Sequence, residues 1–298
     1  MKRVLLLGGN GYLGQAFSKH LIQSGYTVLC AGRSVTASRK DHHAIDLSDH
    51  KAVDHLEKLN CDLVIDFVSY VSPNSPNQPV SEIKKLLQPY QILLKEHYAN
   101  LPYIFISSGG TVYGERSSPA VESDELKPIS SYGIQKALQE ELVNKYVKKG
   151  LILRITNPYG GGQTVKNGVG FVKYLLDSIK NSTSSINLRV PAKTVRDYIQ
   201  MNDLMQLSLK LISRPIDNLN TYNLSTGQEA SLRDLIEIVA SIFETNLQIN
   251  EQLQDFNSDE HIFYNVLNNQ KVLEATKNPE LPSIKKVLTD PNIDWNHL

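Results

Sequence analysis

Tyr132 and Lys136 stand four residues apart in the stretch SYGIQK, where the helix-friendly run QKALQEELVNKYVKK begins. Side chains at i and i+4 share a helix face, so a phenol and an ammonium are brought together. A phenol of ordinary pKa, about 10, is a poor base at neutral pH, and nearby positive charge favours its phenolate. Lowering that pKa by roughly three units takes about 4 kcal/mol of differential stabilisation. Such a pair could take a proton from a hydroxyl while hydride leaves the same carbon. Taken alone, the two residues read more simply as a surface tyrosine and a solvated lysine. The choice turns on whether the chain offers a hydride acceptor.

Gly8-Gly9-Asn10-Gly11-Tyr12-Leu13-Gly14 follows the apolar run VLLL and precedes a helical stretch. Glycine is needed there to turn tightly, to let backbone approach a pyrophosphate, and to let the helix pack against the strand. The new helix presents free N–H groups and its positive dipole end to phosphates. Gly8, Gly11, Tyr12, Leu13 and Gly14 are therefore candidate cofactor contacts. An acid near the end of the second strand would signal NAD; an arginine can meet the 2′-phosphate of NADP. Here the stretch is Ala31-Gly32-Arg33-Ser34, so the acid is missing and Arg33 is present. Asp46 and Leu47 follow a short apolar step and are candidates for the adenine end. NAD is the expected cofactor, with NADP the alternative.

These residues need a scaffold. Apolar runs at 4–7, 27–31, 63–68, 103–107 and 151–155 alternate with helical candidates at 12–24, 48–59, 81–97 and 134–149. That alternation predicts an α/β fold: a Rossmann-type doubly wound parallel sheet with a smaller C-terminal substrate lobe. The dinucleotide-binding domain is expected over 1–157, with 194–226 returning to it. Residues 158–193 and 227–298 are expected to form the lobe.

Composition excludes other classes. The chain has 298 residues, 41% hydrophobic, with 31 basic and 31 acidic residues, so no charge footprint for nucleic acid stands out. No apolar run reaches the ~18 residues of a membrane span. The opening MKRVLLLGGNGYLG breaks into glycines too soon for a signal peptide and reads as a buried strand. Cys30 and Cys61 read as core residues of a reduced, cytoplasmic protein, and their spacing suggests no metal.

SYGIQK, together with SSGGTVYG (107–114), LRITNPYGGGQ (153–163), VRDYIQMNDL (195–204) and YNLSTGQEASLRDLIEIV (222–239), resembles the extended short-chain dehydrogenase/reductases. The likeness is to their NAD-dependent epimerase/dehydratase branch, of the UDP-glucose 4-epimerase type, and runs to about residue 240. The resemblance implies that Tyr132 is the general base and that Lys136 holds the nicotinamide ribose and tunes Tyr132. It implies that Asn157 meets a nucleotide-sugar near its diphosphate and that Arg196 pairs with that diphosphate. A planar guanidinium fork suits that partner. The alternatives are an internal ion pair of Arg196 with Asp197 or Asp203, and a turn role for Asn157 before Pro158. A homodimer built on the helices at 81–97 and 134–149 is implied by analogy.

The chain departs from the pattern in places. The third serine of the family's SSSATVYG is Gly109 here, so Thr111 first, and Ser108 second, are candidates for the missing hydroxyl donor. The acid pair that dehydratases carry before Val-Tyr-Gly is Gly110 and Thr111, which argues against dehydration. The arginine that the family carries in the tail has no counterpart, leaving diphosphate binding to Arg196 with Lys193 or Lys166. The resemblance implies a nucleotide-sugar 4-epimerase acting through a transient 4-keto sugar. The alternatives are an NADPH-dependent reductase of a keto-sugar or other carbonyl, and a non-catalytic dinucleotide-binding protein.

Overall fold

The computed structural model describes residues 2–33, 41–47, 56, 59–163, 170–254 and 256–295. Strands form where the sequence is apolar on both faces. These are β1 (Arg3–Leu7), β2 (Thr27–Gly32), β4 (Leu63–Asp66), β5 (Tyr103–Ser108) and β6 (Gly150–Ile155). The short β3 (His42–Ala44) and the later β10 (Leu219–Leu224) complete a seven-stranded sheet of order β10-β6-β5-β4-β1-β2-β3. Val4 lies opposite both Val28 and Leu63, in parallel register, and Val64 lies opposite Tyr103. The chain builds outward from β1 to β3, then resumes on the other side of β1 with β4. The turn after β1 thus sits at the reversal of strand order, where open α/β sheets bind ligands.

Three helical segments bear on the expected residues. Tyr12–Gln23 leads from β1 to β2. The helical segment expected over 81–97, which Pro89 interrupts, divides into Val80–Leu86, Gln88–Leu93 and a π-helical turn at Leu94–Tyr98. Pro89 has no N–H to continue the first piece, so a new helix begins around it. Ser131–Tyr146 starts earlier than the apolar pattern indicated, because the Ser130 hydroxyl caps it by accepting from the Gly133 N–H. Most of the helix expected over 48–59 lies outside the described residues.

Contacts divide the chain into two compact units. The first comprises Met1–Ser108, Ser130–Arg154 and Ser208–Tyr222. Its core joins strand residues Leu5, Leu7, Val64, Phe105 and Ile152 to Ile83, Tyr90, Leu94 and Val143 of the helices. Each such side chain contributes about 1.5–3 kcal/mol relative to exposure.

The second unit comprises Gly109–Ile129, Ile155–Leu207 and Asn223–Leu298. Strand β9 (Val195–Gln200), expected to join the main sheet, pairs instead with β7 (Asn157–Tyr159), β11 (Glu229–Ser231) and β13 (Tyr264–Asn265). Helices Phe171–Lys180 and Leu232–Ile242 pack Leu175, Leu235 and Ile236 around Tyr159, Ile186 and Tyr198. A capping box between Ser231 and Asp234 fixes the start of the second helix. Among the described residues, no helix is long and apolar enough to cross a membrane, and no His/Cys/Asp/Glu cluster could hold a metal ion.

Candidate active site

The turn after β1 has the form a pyrophosphate requires. Gly8 takes φ +74°, a left-handed conformation that side chains resist, and its N–H bonds to the Ala31 carbonyl at 2.7 Å. A Cβ on Gly14 would stand 2.5 Å from Gly9 backbone, so only glycine lets the helix pack this close. Gly11 is the helix N-cap and makes no side-chain cap bond. The first N–H groups of the helix are therefore not consumed by a side chain. Tyr12 and Leu13 are half-buried in that first turn. The residues present fit a dinucleotide.

At the adenosine end, Arg33 is exposed beyond β2, Asp46 is exposed beyond β3, and Leu47 is buried. Burial pushes the Tyr70 phenol up, Asp66 and Asp46 push it further, and Arg33 acts against them. Tyr70 therefore belongs to the same neighbourhood, and its hydroxyl is buried without a hydrogen-bond partner.

Tyr132 and Lys136 fall one turn apart on helix Ser131–Tyr146. Lys136 is buried; its Nζ donates to the Val68 carbonyl at 3.1 Å and the Ile106 carbonyl at 3.0 Å, and lies 4.7 Å from the centre of the Phe105 ring. Burial draws the ammonium down to about 8, while Asp66 and then Glu140 hold it up. Tyr132 is half-buried, and its hydroxyl shares a hydrogen bond with Ser108. The phenol is pushed up to about 12 by burial, with Ser108 acting against the rise. Burial is the larger of the two causes, since desolvating a phenolate costs more than one hydrogen bond returns.

The loop after β4 is tied to the same helix. Gln135 Oε1 accepts from the Tyr70 N–H at 2.8 Å and the Val71 N–H at 2.6 Å, and Gln135 Nε2 donates to Ser69 at 2.9 Å. Glu140, one turn beyond Lys136, meets Arg154 with a shortest distance of 2.7 Å and accepts from Ser107 at 2.5 Å. Successive turns of one helix face thus carry Tyr132, Lys136 and Glu140.

The remaining expected residues lie in the second unit. Arg196, on β9, is half-buried; its guanidinium donates to the Val195 carbonyl at 2.9 Å and forms no ion pair among the described residues. The internal pairing with Asp197 does not occur. That carboxylate accepts from Thr226 Oγ1 at 2.7 Å, the Thr226 N–H at 3.0 Å and the Gly227 N–H at 2.9 Å. Nor does it occur with Asp203, whose Oδ2 is buried without a partner. Asn157 commits its amide nitrogen to the Asp197 carbonyl at 2.8 Å, across the β7–β9 pairing. Thr111 Oγ1 is buried without a partner. Lys193 is exposed, 5.5 Å from the centre of the Phe263 ring, and Lys166 lies outside the described residues.

Sequence reasoning missed Asp66, Gln135, Glu140 and Arg154. A signal existed for the first: LVIDFV carries one acid inside an apolar run, and a buried acid demands partners.

The comparisons agree with this architecture. The chain is 27% identical to the dTDP-4-dehydro-6-deoxyglucose reductase of Escherichia coli, over 79% of this chain and 80% of that protein. It is 26% identical to a UDP-glucose 4-epimerase of Lactobacillus helveticus, over 79% and 80%. The UDP-glucuronic acid 4-epimerase of Bacillus cereus, solved with UDP-glucuronic acid and NAD, superposes with a TM-score of 0.81 at 16% identity, covering 99% of this chain and 98% of that one. The sequence model of the NAD dependent epimerase/dehydratase family matches residues 4–225, and the chain belongs to that family.

Proposed function

We propose that this protein is an NAD-dependent epimerase of a nucleotide-sugar, acting at C4 through a transient 4-keto sugar. One observation carries the reading. The helix bearing Tyr132 has its next turn anchored through Lys136 to the carbonyls of Val68 and Ile106, beyond β4 and within β5, and Ser108 ends β5 beside the phenol.

NAD supplies a hydride acceptor and, in its oxidised form, a positive charge that favours phenolate. Tyr132 then accepts the proton of the sugar hydroxyl, and Ser108 takes the place of the hydroxyl donor missing at Gly109. Lys136 binds the nicotinamide ribose. Arg196 pairs with the diphosphate, for which its unmatched guanidinium is suited. Asn157 serves that site through backbone, since its amide is committed to Asp197. Helix Val80–Leu86 exposes Val80 and Leu86, which we assign to a homodimer contact, and we place the enzyme in the cytoplasm.

Incubating the purified protein with UDP-galactose and following UDP-glucose by coupled assay tests the reading, with other nucleotide-sugars as further substrates. Tyr132→Phe should reduce turnover by roughly 10³-fold, the scale of general acid–base catalysis, while leaving NAD affinity unchanged. Full activity in that variant refutes the mechanism. The second reading, an NADPH-dependent keto-sugar reductase, is favoured by the exposed Arg33 beyond β2 and by the 27% identity to a reductase. Tightly bound NAD⁺ in the purified protein selects the epimerase. An empty site with a preference for NADPH selects the reductase.

A further inference from the structure

Asp66 ends β4 and is wholly buried. Its Oδ2 accepts from Tyr90 at 2.7 Å and from Tyr103 at 2.7 Å, and its Oδ1 accepts from the Val68 N–H at 2.7 Å. Burial raises the pKa of this carboxyl, while Lys136, Tyr103, Val68 and Tyr90 act against the rise, and three donors converging on two oxygens suit a carboxylate. Hydroxyls and amide carry no charge, so the negative charge of Asp66 stays uncompensated by them. It forms no ion pair within 4 Å among the described residues. Yet a buried carboxylate needs a counter-charge nearby.

The groups acting on Lys136 are few. On its own helix lies Glu140; β5 offers the Ile106 carbonyl and the Phe105 ring; the end of β4 offers Asp66, and the loop after it the Val68 carbonyl. Glu140 is already matched by Arg154 at 2.7 Å. Asp66 is then the source of net negative charge for the ammonium. It also shapes the turn that aims Lys136, because the Val68 whose N–H it binds offers its carbonyl to Nζ at 3.1 Å.

We propose that Asp66 is a positioning residue of the Tyr132–Lys136 pair: it keeps Lys136 protonated and, through Val68, directs its ammonium. The inference rests on the dinucleotide and proton-transfer reading above. Its sign is definite. Removing the negative charge lets Lys136 lose its proton at lower pH, so whatever the ammonium holds is released earlier as pH rises. Tyr90 and Tyr103 act at one remove, by keeping Asp66 ionised.

The test is NADH affinity, followed by nicotinamide fluorescence between about pH 6 and pH 10, which needs neither substrate nor turnover. In the native protein, affinity should fall on the alkaline side as Lys136 deprotonates. Asp66→Asn should move that fall about one pH unit lower, giving roughly tenfold weaker binding between the two midpoints. Tyr103→Phe should move it the same way by less, and it carries the test alone if Asp66→Asn does not fold. Lys136→Met should be weak and flat across the range. Curves for Asp66→Asn and Tyr103→Phe that lie on the native one, or lose affinity equally at every pH, make Asp66 merely structural and overturn the proposal. A pH-dependent Lys136→Met overturns it too. A native protein that binds no NADH at any pH overturns the dinucleotide reading along with it.

Discussion

Arg154 on β6 and Arg196 on β9 both carry a guanidinium out of water, and the two regions treat it oppositely. Around Arg154 the first unit has arranged a full answer: Nε reaches both Glu140 oxygens at 3.1 Å, Nη2 reaches Oε2 at 2.7 Å, and Ser107 donates to the same carboxylate. Around Arg196 the described residues of the second unit offer one carbonyl, that of Val195, and burial lowers its pKa, with Tyr198 and Glu115 acting against the fall. A charge matched inside the protein holds structure. A charge left unmatched costs desolvation with no internal return, and it is retained where something from outside supplies the partner.

The largest effect expected from this contrast is on stability. Arg154→Ala leaves Glu140 buried and uncompensated, which costs about 3–5 kcal/mol. Urea unfolding should show a lower midpoint without a changed slope. Adding Glu140→Leu should restore much of the loss, because the stranded charge is then gone as well. A single variant as stable as the native protein would show that water reaches Glu140.

Arg196→Ala should do the reverse. Folding stability should hold or rise slightly, since an unmatched cation is removed. Affinity for a nucleoside diphosphate, measured with UDP by calorimetry, should fall by roughly 10- to 100-fold, the scale of one or two charge-assisted hydrogen bonds. Undiminished UDP binding would place the diphosphate away from β9.

The same division governs what the sequence disclosed. The glycine turn and the Tyr132/Lys136 spacing are local: their geometry follows from a strand meeting a helix and from 3.6 residues per turn. Pro89 marked the break in its helix for an equally local reason. Asp66 stood out as an acid in an apolar strand, but its meaning depends on Tyr90 and Tyr103, 24 and 37 residues away. Asn157 looked free to bind substrate because nothing near it in sequence shows that β9, 40 residues on, would supply an acceptor. Strands β7, β11 and β13 are two or three residues long, too short for alternation to register. Between Thr111 and Ser108 the sequence offered only two hydroxyls. Their environments differ, one buried without a partner and one beside the phenol.

The smallest effect is the sharpest probe of whether Arg196 stands unmatched. His261 shares Nε2 with Thr194 Oγ1 at 2.9 Å and packs edge-on against Phe256 and Phe263, at 5.0 and 4.8 Å between ring centres. Burial first, and the Arg196 guanidinium second, draw its imidazole down to about 4. Arg196→Ala removes the second cause and leaves the first, so the pKa should rise by less than about one unit. A folded pKa below the unfolded ~6.5 means that the unfolded chain takes the proton first as pH falls. The native protein therefore loses stability between about pH 6.5 and pH 4, and the variant should lose less over that interval. Ring-proton NMR, with the His261 signal identified through His261→Gln, reads the shift directly. An unmoved midpoint would mean that the guanidinium does not act on the imidazole, and Arg196 would then be no more an unmatched charge than Arg154.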